Sequence, residues 1–406
     1  MQIDQSPPLR VVHPALVHLA LAVGGFAIGT TEFATMSLLP YFARDLGIDA
    51  PTAGNVISAY ALGVVVGAPT IAVLAAKMSR RSLLIGLMLF FGVANALSGI
   101  APTYHWMLLF RFLSGLPHGA YFGISALMAA SLVPANKRVA AVSRVMLGLT
   151  IATVIGVPLA NILGQVVGWR WGFALVAALS LTTAALVGLY APQEKADGAA
   201  SPLRELGALR RPQVWLTLAT GAVGFGGLFA VYTYLADTML AVTKVSPAMI
   251  PVALVVFGVG MTAGTAIVPR FADRHLMPSA AVLLLWSAVT LLLWPAAAPH
   301  LPSLLVAVFA IGFGGAYGVV LQTRLMDVAG DAQALAASLH HSAFNTANAI
   351  GPLFGGMAIR AGLGWTSTGY VGCALALGGL AIWLLAWRLS SGEPPHAVSA
   401  ERLPIH

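Results

Sequence analysis

The sequence has little charge and almost no cysteine. Only 8% of its 406 residues are Asp, Glu, Lys or Arg, while 59% are hydrophobic and the mean hydropathy is +0.88. A water-soluble domain of this length does not have such a composition, so lipid is the main solvent. The one cysteine, Cys373, excludes an intrachain disulfide framework and a thiolate metal cluster.

Several motifs of soluble enzymes and nucleotide-binding proteins are also missing. The chain has no P-loop, no His-Glu-x-x-His run and no Gly-x-Ser-x-Gly elbow. We therefore expect no metal, no cofactor and no ATP-driven step. The formal net charge is +8, but the basic residues are scattered singly or in pairs between apolar segments. This placement argues against nucleic acid as a partner and for membrane topology.

Twelve apolar runs are each long enough to cross a hydrocarbon core about 30 Å thick. They predict an all-α integral membrane protein with six transmembrane helices in each of two bundles, residues 15–191 and 213–388. A cytoplasmic loop, 192–212, joins the bundles, and tails 1–14 and 389–406 flank them. The predicted spans are 15–39, 52–76, 82–101, 105–133, 139–167, 170–191, 213–238, 247–270, 279–297, 301–325, 333–359 and 366–388.

The Lys and Arg residues predict the orientation of these spans. If the amino terminus is cytoplasmic, only Arg44, Arg170, Lys244 and Arg360 fall on the opposite side, and Arg111 falls within a span. Cytoplasmic loops carry an excess of Lys and Arg, so both termini are predicted to be cytoplasmic. We expect a multi-pass protein of the bacterial inner membrane that functions as a monomer.

The two halves repeat each other. One shift of 196 positions aligns identical residues at three separate places, which indicates two bundles related by a parallel pseudo-two-fold repeat. Such a duplication places a solute site between the halves, near the middle of the bilayer. The aligned residues are Pro51 with Pro247, Gly119-Ala120-Tyr121 with Gly315-Ala316-Tyr317, and Gly168-Trp169 with Gly364-Trp365.

Three ionisable residues inside the spans are candidates for proton coupling. Glu32 is the acid placed well inside a span, where an unpaired carboxylate costs several kcal/mol. We interpret it as the group that accepts and releases a driving proton; the alternative is a permanent anchor or a counterion for Arg111. Arg111 either pairs with Glu32 or only stabilises the first bundle. His118 follows Pro117 and is either a proton relay or a packing residue.

Polar residues of the eleventh span predict the solute cavity. His341, Asn345 and Asn348 are spaced by four and three residues, so they share one helical face. We expect them to line the cavity with Tyr121 and Tyr232 and to form hydrogen bonds with the solute. The alternative is polar contact between helices.

Small residues predict where helix backbones approach closely. Gly148, Gly156 and Gly164 recur every eight residues in the fifth span. Gly351, Pro352 and Gly355 give the second half a comparable surface. We interpret both sets as packing and hinge elements of a rocking motion.

Several of these motifs resemble the major facilitator superfamily, specifically its drug-proton antiporter and arabinose-efflux-like branch. The resemblance covers nearly the whole chain and implies a secondary transporter with alternating access. The first span carries Gly29-Thr30-Thr31-Glu32-Phe33 and Leu38-Leu39-Pro40. The fourth carries Arg111, Gly115, His118 and Gly119, and the fifth carries Gly148, Gly156-Val157-Pro158 and Gly164. The fifth-span motif is similar to one that is typical of antiporters.

One loop departs from the family pattern. The acid expected between the second and third spans is absent, since the chain reads Ala76, Lys77, Ser79, Arg80 and Arg81 there. The equivalent loop of the second half keeps Asp273 and Arg274. The resemblance implies that these basic and acidic residues form a cytoplasmic gate.

The leading hypothesis is export of a small organic solute, such as a drug-like compound, a sugar or a nucleoside, in exchange for protons. Its partners are therefore the solute, protons and the lipid bilayer. One alternative is proton-coupled or facilitated uptake of a nucleoside or sugar. Another is a membrane sensor or intramembrane enzyme, although no paired catalytic residues or appended soluble domain support either.

Overall fold

The structure is a computed structural model that describes residues 13–74, 78–134, 138–193, 209–272, 275–329 and 333–390. Regular structure in these ranges is helical. The first half consists of Pro14–Ser37 with the short helix Leu39–Asp45, Ala50–Leu74, Arg80–Gly99, Tyr104–Ser131, Arg138–Ile151 continued through the π-helix Ala152–Gly156 into Val157–Val166, and Arg170–Tyr190.

The second half follows the same plan with more breaks. Its helices are Pro212–Gly224, Gly226–Thr233 and Leu235–Thr238 with the π-helix Met239–Thr243, the short turn Pro247–Met249 with Ile250–Ile267 and Pro269–Ala272, Leu276–Ala297, Leu301–Gly314 with Tyr317–Ala329, Gln333–Arg360, and Ser367–Ser390. With short breaks passed over, the described chain has six spans in each half. The predicted fold class is confirmed.

Ten of the spans in the described ranges are both long and apolar enough to cross a membrane. The fourth and eleventh, Tyr104–Ser131 and Gln333–Arg360, are 28 residues long but less apolar. They carry Arg111 and His118 in one case and a row of His and Asn residues in the other. Polar groups at membrane depth are stable only where protein or water surrounds them, so these two helices must face the interior.

Capping side chains fix where the second and eighth spans begin. The Asp49 carboxylate accepts a hydrogen bond from the Thr52 backbone N–H at 2.8 Å and caps the second span. This bond lowers the pKa of the Asp49 carboxyl. Ser246, 197 positions later, accepts from the Ala248 N–H at 3.4 Å at the start of the eighth span. Equivalent capping at equivalent positions is part of the internal repeat.

Glycine contacts repeat as well. A Cβ atom on Gly63 would lie 2.1 Å from the carbonyl oxygen of Phe112, and one on Gly260 would lie 2.3 Å from that of Phe309. The second and fourth spans of the first half therefore pack backbone to backbone, as do their counterparts in the second half. Two more pairs of glycines make equivalent contacts in their own halves. They are Gly67 and Gly264, and Gly115 and Gly312, and the members of each pair are 197 positions apart.

Because each half crosses six times, Pro14, Tyr190, Pro212 and Ser390 lie at one end of the molecule, called here the terminal end. The opposite end is called the far end. One hydrophobic core joins the far-end part of the first half to the second half. A separate core is confined to the terminal-end part of the first half. The two halves thus share buried apolar surface mainly towards the far end.

Asp45 ties the short helix Leu39–Asp45 to the loop before the sixth span. Its carboxylate accepts hydrogen bonds from the Trp169 indole N–H at 3.0 Å and from the Arg170 guanidinium. The Arg170 hydrogen bond is the main cause that holds the pKa of Asp45 below its ordinary value of 3.8. The contact fixes the far-end turn next to Gly168, whose φ of 125° suits glycine.

Candidate functional site

The two halves meet along paired spans. The Ser58 hydroxyl of the second span donates to the Ala349 carbonyl of the eleventh at 3.0 Å. On the other side of the molecule, a Cβ atom on Gly258 of the eighth span would lie 2.8 Å from the Thr153 carbonyl oxygen in the fifth. These contacts define the interface between the halves, and the candidate site lies within it.

Glu32 lies at this interface and contacts the opposite half. Glu32 is 2% exposed, and its carboxylate accepts a hydrogen bond from the Asn348 amide at 3.3 Å. The first and eleventh spans therefore share a buried polar contact that joins the halves. A carboxyl group held this way must change its surroundings if the halves separate.

Arg111 is bound within the first half by neutral oxygens. One terminal nitrogen of its guanidinium donates hydrogen bonds to three oxygens: Thr31 Oγ1 at 3.0 Å, Asn95 Oδ1 at 3.5 Å and Ser114 Oγ at 3.4 Å. Its central carbon lies 4.3 Å from the Tyr60 ring centroid, a cation–π distance.

Direct pairing of Glu32 with Arg111, one of the two alternatives for Arg111, is not what the structure shows. The two side chains form no ion pair in the structure, although both are described and buried. Thr31 and Glu32 are consecutive, and consecutive helix residues point about 100° apart. Thr31 therefore faces Arg111 inside the first half, while Glu32 faces Asn348 in the second half.

His118 connects the Arg111 group to the other half. Its Nδ1 is hydrogen-bonded to the Tyr60 hydroxyl at 2.8 Å, and its ring centroid lies 5.8 Å from that of His341. The His341 ring in turn stacks on Phe122 at 5.0 Å with an angle of 4°. The two histidines thus meet across the interface.

Asn345 and Tyr232 are also buried here. The Asn345 amide donates to the His341 carbonyl oxygen at 3.0 Å, while its own Oδ1 has no partner. The Tyr232 ring lies 4.2 Å from that of Phe257 and 5.6 Å from that of Phe33. The structure therefore brings Asn348 to Glu32 and Tyr232 to the neighbouring Phe33, while His341 meets His118 farther along the same interface.

Tyr121 does not join them. Its hydroxyl donates to the Leu21 carbonyl oxygen at 2.8 Å, and it lies next to Gly24 and Thr183 inside the first half. This position is between the first, fourth and sixth spans rather than at the interface. Its repeat partner Tyr317 lies beside Gly224 of the seventh span, so both tyrosines pack within their own bundles.

The glycines of the fifth span lie against the first span. A Cβ atom on Gly148 would lie 2.0 Å from the Ala22 carbonyl oxygen, and one on Gly156 would lie 2.2 Å from Thr30 Oγ1. Gly164 packs on Leu38. A π-helix, Ala152–Gly156, ends just before Pro158, which has no N–H to donate to the preceding turn.

The corresponding residues of the eleventh span pack on the seventh. Gly351 approaches the Gly226 carbonyl oxygen, and Gly355 approaches the Tyr234 ring. The Pro352 carbonyl accepts from the Tyr234 hydroxyl at 2.9 Å.

The predicted gate lies mostly beyond the described part of the chain. Arg81 donates to the Gly188 carbonyl oxygen, which ties the third span to the sixth, and Arg80 begins the third span. Lys77, Asp273 and Arg274 lie outside the described residues.

Sequence reasoning missed a second acid with a buried carboxylate oxygen, the half-buried Asp237. It lies near the far end of the seventh span, and one of its carboxylate oxygens is buried without a partner, as is the hydroxyl of Tyr41 from the other half. Asp237 lies within the predicted span 213–238, next to its limit. An acid at the end of an apolar run was the available signal.

Two six-helix halves with titratable and hydrogen-bonding groups buried between them define a helical membrane protein of the secondary-transporter class. The chain belongs to the Major Facilitator Superfamily, whose family model matches residues 21–280 and 230–405. The family prediction is thus confirmed.

Curated relatives are membrane transporters and resistance proteins. The chain is 40% identical to the inner membrane transport protein YdhP of Escherichia coli strain K12, over 94% of this chain and 97% of the relative. It is 37% identical to a chloramphenicol resistance protein of Streptomyces lividans, over 82% and 86%. It is 30% identical to a probable sugar efflux transporter of Haemophilus influenzae strain PittGG, over 90% and 92%.

The fold is also similar to that of a solved transporter. A bacterial homolog of the human lysosomal transporter Spinster, in an inward-facing and occupied conformation, matches with a TM-score of 0.73 at 19% identity. The match covers 96% of this chain and 100% of that one.

Proposed function

We propose that this protein exports a small organic solute in exchange for protons, with Glu32 as the proton-binding group. The observation that carries the proposal is the hydrogen bond between Glu32 and Asn348, which crosses the interface between the halves. If the halves rock apart, this carboxyl moves from a dry contact into water. Burial favours its protonated form and hydration favours its ionised form, so the motion changes its affinity for protons.

Arg111 and His118 support this role without touching Glu32. Arg111 places a fixed positive charge in the same half, and its Tyr60 contact leads to His118 at the interface. We propose that Arg111 favours proton release when Glu32 becomes hydrated. His118 and His341 provide a second polar contact that separates when the halves move.

Export is favoured by the relatives whose names include chloramphenicol resistance and sugar efflux. The antiporter-like motif of the fifth span lies where that span meets the first and eighth spans, a suitable place for a hinge. We further propose that the protein works as a monomer without cofactors, with both termini in the cytoplasm of a bacterium.

The direction of coupling can be measured in proteoliposomes that enclose a pH-sensitive dye. Chloramphenicol and arabinose are the test solutes, and protein-free liposomes are the control. Entry of a solute through an antiporter expels protons and raises the internal pH. Solute entry with a fall in internal pH would show co-transport, and entry with no pH change would show facilitated diffusion; either result contradicts the proposal.

A further inference from the structure

An aromatic cluster lies beside Glu32. Phe33, the next residue, lies 6.2 Å from Phe229 and 6.4 Å from Phe257, measured between ring centroids. Phe229 in turn lies 5.0 Å from Phe344. Together with Tyr232, these residues come from the first span of one half and from three spans of the other.

Three hydrogen-bonding residues adjoin this cluster: Tyr232 belongs to it, Asn345 follows Phe344, and Asn348 contacts Glu32 beside Phe33. Asn345 Oδ1, Asn348 Oδ1 and the Tyr232 hydroxyl are buried, and none has a hydrogen-bond partner. A buried polar group without a partner loses the hydrogen bonds that water would give it, which is unfavourable. Two of the three atoms are amide oxygens, which only accept hydrogen bonds. The ligand that fits them therefore offers N–H or O–H donors.

From this arrangement we infer the substrate class: a planar aromatic compound, neutral or cationic, that carries N–H or O–H donors. The rings of Phe33, Phe257 and Phe344 would stack on its faces, and the amide oxygens would accept from its edge. The Glu32 carboxylate disfavours an anion. A sugar has hydroxyls around its whole rim and would need many hydrogen-bond partners. The five rings of this cluster offer one polar atom, the Tyr232 hydroxyl. The inference rests on the proposed transport function.

Binding can be tested on purified full-length protein in nanodiscs. The probes are ethidium, which is planar and carries aryl amines, chloramphenicol, and arabinose. We expect the aromatic probes to bind and arabinose not to bind. Replacing a stacking ring, in Phe257→Leu or Phe344→Leu, should weaken ethidium binding about tenfold, or about 1.4 kcal/mol. Phe354→Leu is the matched control because Phe354 lies on the eleventh span and is 43% exposed.

Two further measurements keep the test decisive. Tyr232→Phe keeps the ring and loses the hydroxyl, so it should weaken binding less than loss of a ring, and gel filtration confirms that each variant is folded. Arabinose binding without aromatic binding, no binding by any probe, or unchanged ethidium affinity in both ring variants would overturn the inference. Proton exchange driven by arabinose would leave the proposed function standing while the substrate class fails.

A separate observation concerns the far end. Asp237 and Tyr41 belong to opposite halves, and the helices that carry them, Leu235–Thr238 and Leu39–Asp45, pack together. Asp237 Oδ2 and the Tyr41 hydroxyl are both buried without partners. Arg44 shares the short helix with Tyr41, and Tyr234 lies on the same span as Asp237. More distant charges are those of Asp49 and Arg360, which act on Tyr234.

We propose that Asp237 is a second proton-binding carboxyl of the transport cycle. The contact between its helix and the short helix closes the far end, so opening that end brings water to the carboxyl. A buried carboxylate with an unpaired oxygen is unstable in its charged form. The carboxyl therefore binds a proton when the far end closes and releases it when the far end opens to water. The cycle then moves two protons for each solute, one on Glu32 and one on Asp237.

The proton-to-solute ratio tests this directly. Solute uptake and internal pH are measured together in proteoliposomes, with chloramphenicol and arabinose as the solutes. We expect a ratio of about two in the unmodified protein and about one in Asp237→Asn, since each carboxyl carries one proton. Asp49→Asn is the control, because Asp49 is an exposed acid of the same end. A ratio of one in the unmodified protein, or an unchanged ratio in Asp237→Asn, would overturn the proposal.

Discussion

Arg111 shows how a buried cation can be held without a carboxylate. Its guanidinium donates to three neutral oxygens and lies over the Tyr60 ring, all within the first half. The planar guanidinium of arginine presents several N–H donors and can also lie flat on an aromatic ring. A lysine ammonium is a compact charge and cannot make all of these contacts. Arg111 therefore joins the fourth span, on which it lies, to the first, second and third spans. This structural role is separate from its proposed role in proton coupling.

Arg111→Lys should keep the charge and lose stability. We expect a decrease of about 1–3 kcal/mol, because some of the oxygens of Thr31, Asn95 and Ser114 lose their donor. Thermal unfolding in detergent micelles measures it. Arg144→Lys is the control, since Arg144 is an exposed residue of the fifth span. Equal melting temperatures for both variants would show that the Arg111 contacts do not stabilise the fold.

The ion pair of Asp45 with Arg170 should contribute equally to stability at about pH 5 and about pH 8. Its carboxyl pKa is lowered in the folded protein, so its contribution is present above the unfolded value of 3.8 and is lost as the pH falls through the lower folded value. Arg170→Ala should therefore lower the melting temperature by the same small amount at about pH 5 and about pH 8. A loss that differs between these pH values would contradict the assignment.

At the scale of elements, backbone approach at glycine decides how the first and fifth spans pack. The Gly148 position leaves no room for a methyl group, because the Ala22 carbonyl oxygen lies 2.0 Å from the position of a Cβ atom. Gly86 is a useful contrast, since nothing lies within 4 Å of its Cβ position. Both glycines are inside helices, so the intrinsic helix preference of alanine acts equally at each.

Gly148→Ala should destabilise the protein by about 1–3 kcal/mol through overpacking. Gly86→Ala should be neutral or stabilise it by up to about 1 kcal/mol. Melting temperatures of the two variants in the same detergent test this pair. If Gly148→Ala were as stable as Gly86→Ala, the close packing of the two spans would not matter for stability.

The elements themselves were largely predictable. Apolar runs bounded by polar residues predicted the spans, and shared residues such as Gly168-Trp169 and Gly364-Trp365 predicted the duplication, because membrane solvation imposes a length and composition on each helix. The π-helix Ala152–Gly156 was not predicted. It results from how Pro158 and the neighbouring spans constrain one helix, and no periodicity in the sequence encodes that.

The side-chain partners were less predictable. Helical spacing correctly grouped His341, Asn345 and Asn348 on one face, since spacing determines direction around a helix. It could not show that Glu32 pairs with Asn348 instead of Arg111, or that Tyr121 packs inside its own bundle. Those outcomes depend on rotations of about 100° between neighbouring residues and on how whole helices pack.

At the scale of the whole molecule, the structure shows the interface closed around Glu32. Glu32, Arg111, Asn345 and Asn348 are each at most 2% exposed. Ser58 lies at this interface, and Gly258 provides the close contact between the fifth and eighth spans. Solute passage requires this interface to open.

Forcing the fifth and eighth spans apart should expose the interface. In a Cys373→Ser background, Ser58→Cys reports access through its rate of reaction with a water-soluble thiol reagent. Adding Gly258→Leu should raise that rate about tenfold, or about 1.4 kcal/mol in favour of the open form. Gly86→Leu is the control. An unchanged rate with Gly258→Leu would show that this contact does not hold the halves together.

In the proposed function, the Glu32 carboxyl couples proton movement to the motion of the two halves. The most direct test of this coupling compares two transport modes of Glu32→Gln in proteoliposomes: solute accumulation driven by a pH gradient, and solute exchange at equal pH. Glutamine keeps a hydrogen-bonding side chain of similar size at this position but cannot ionise. Asp49→Asn is the control, because asparagine also caps a helix.

We predict that Glu32→Gln abolishes gradient-driven accumulation while exchange continues, and that Asp49→Asn retains both modes. Normal gradient-driven accumulation by folded Glu32→Gln would contradict the account.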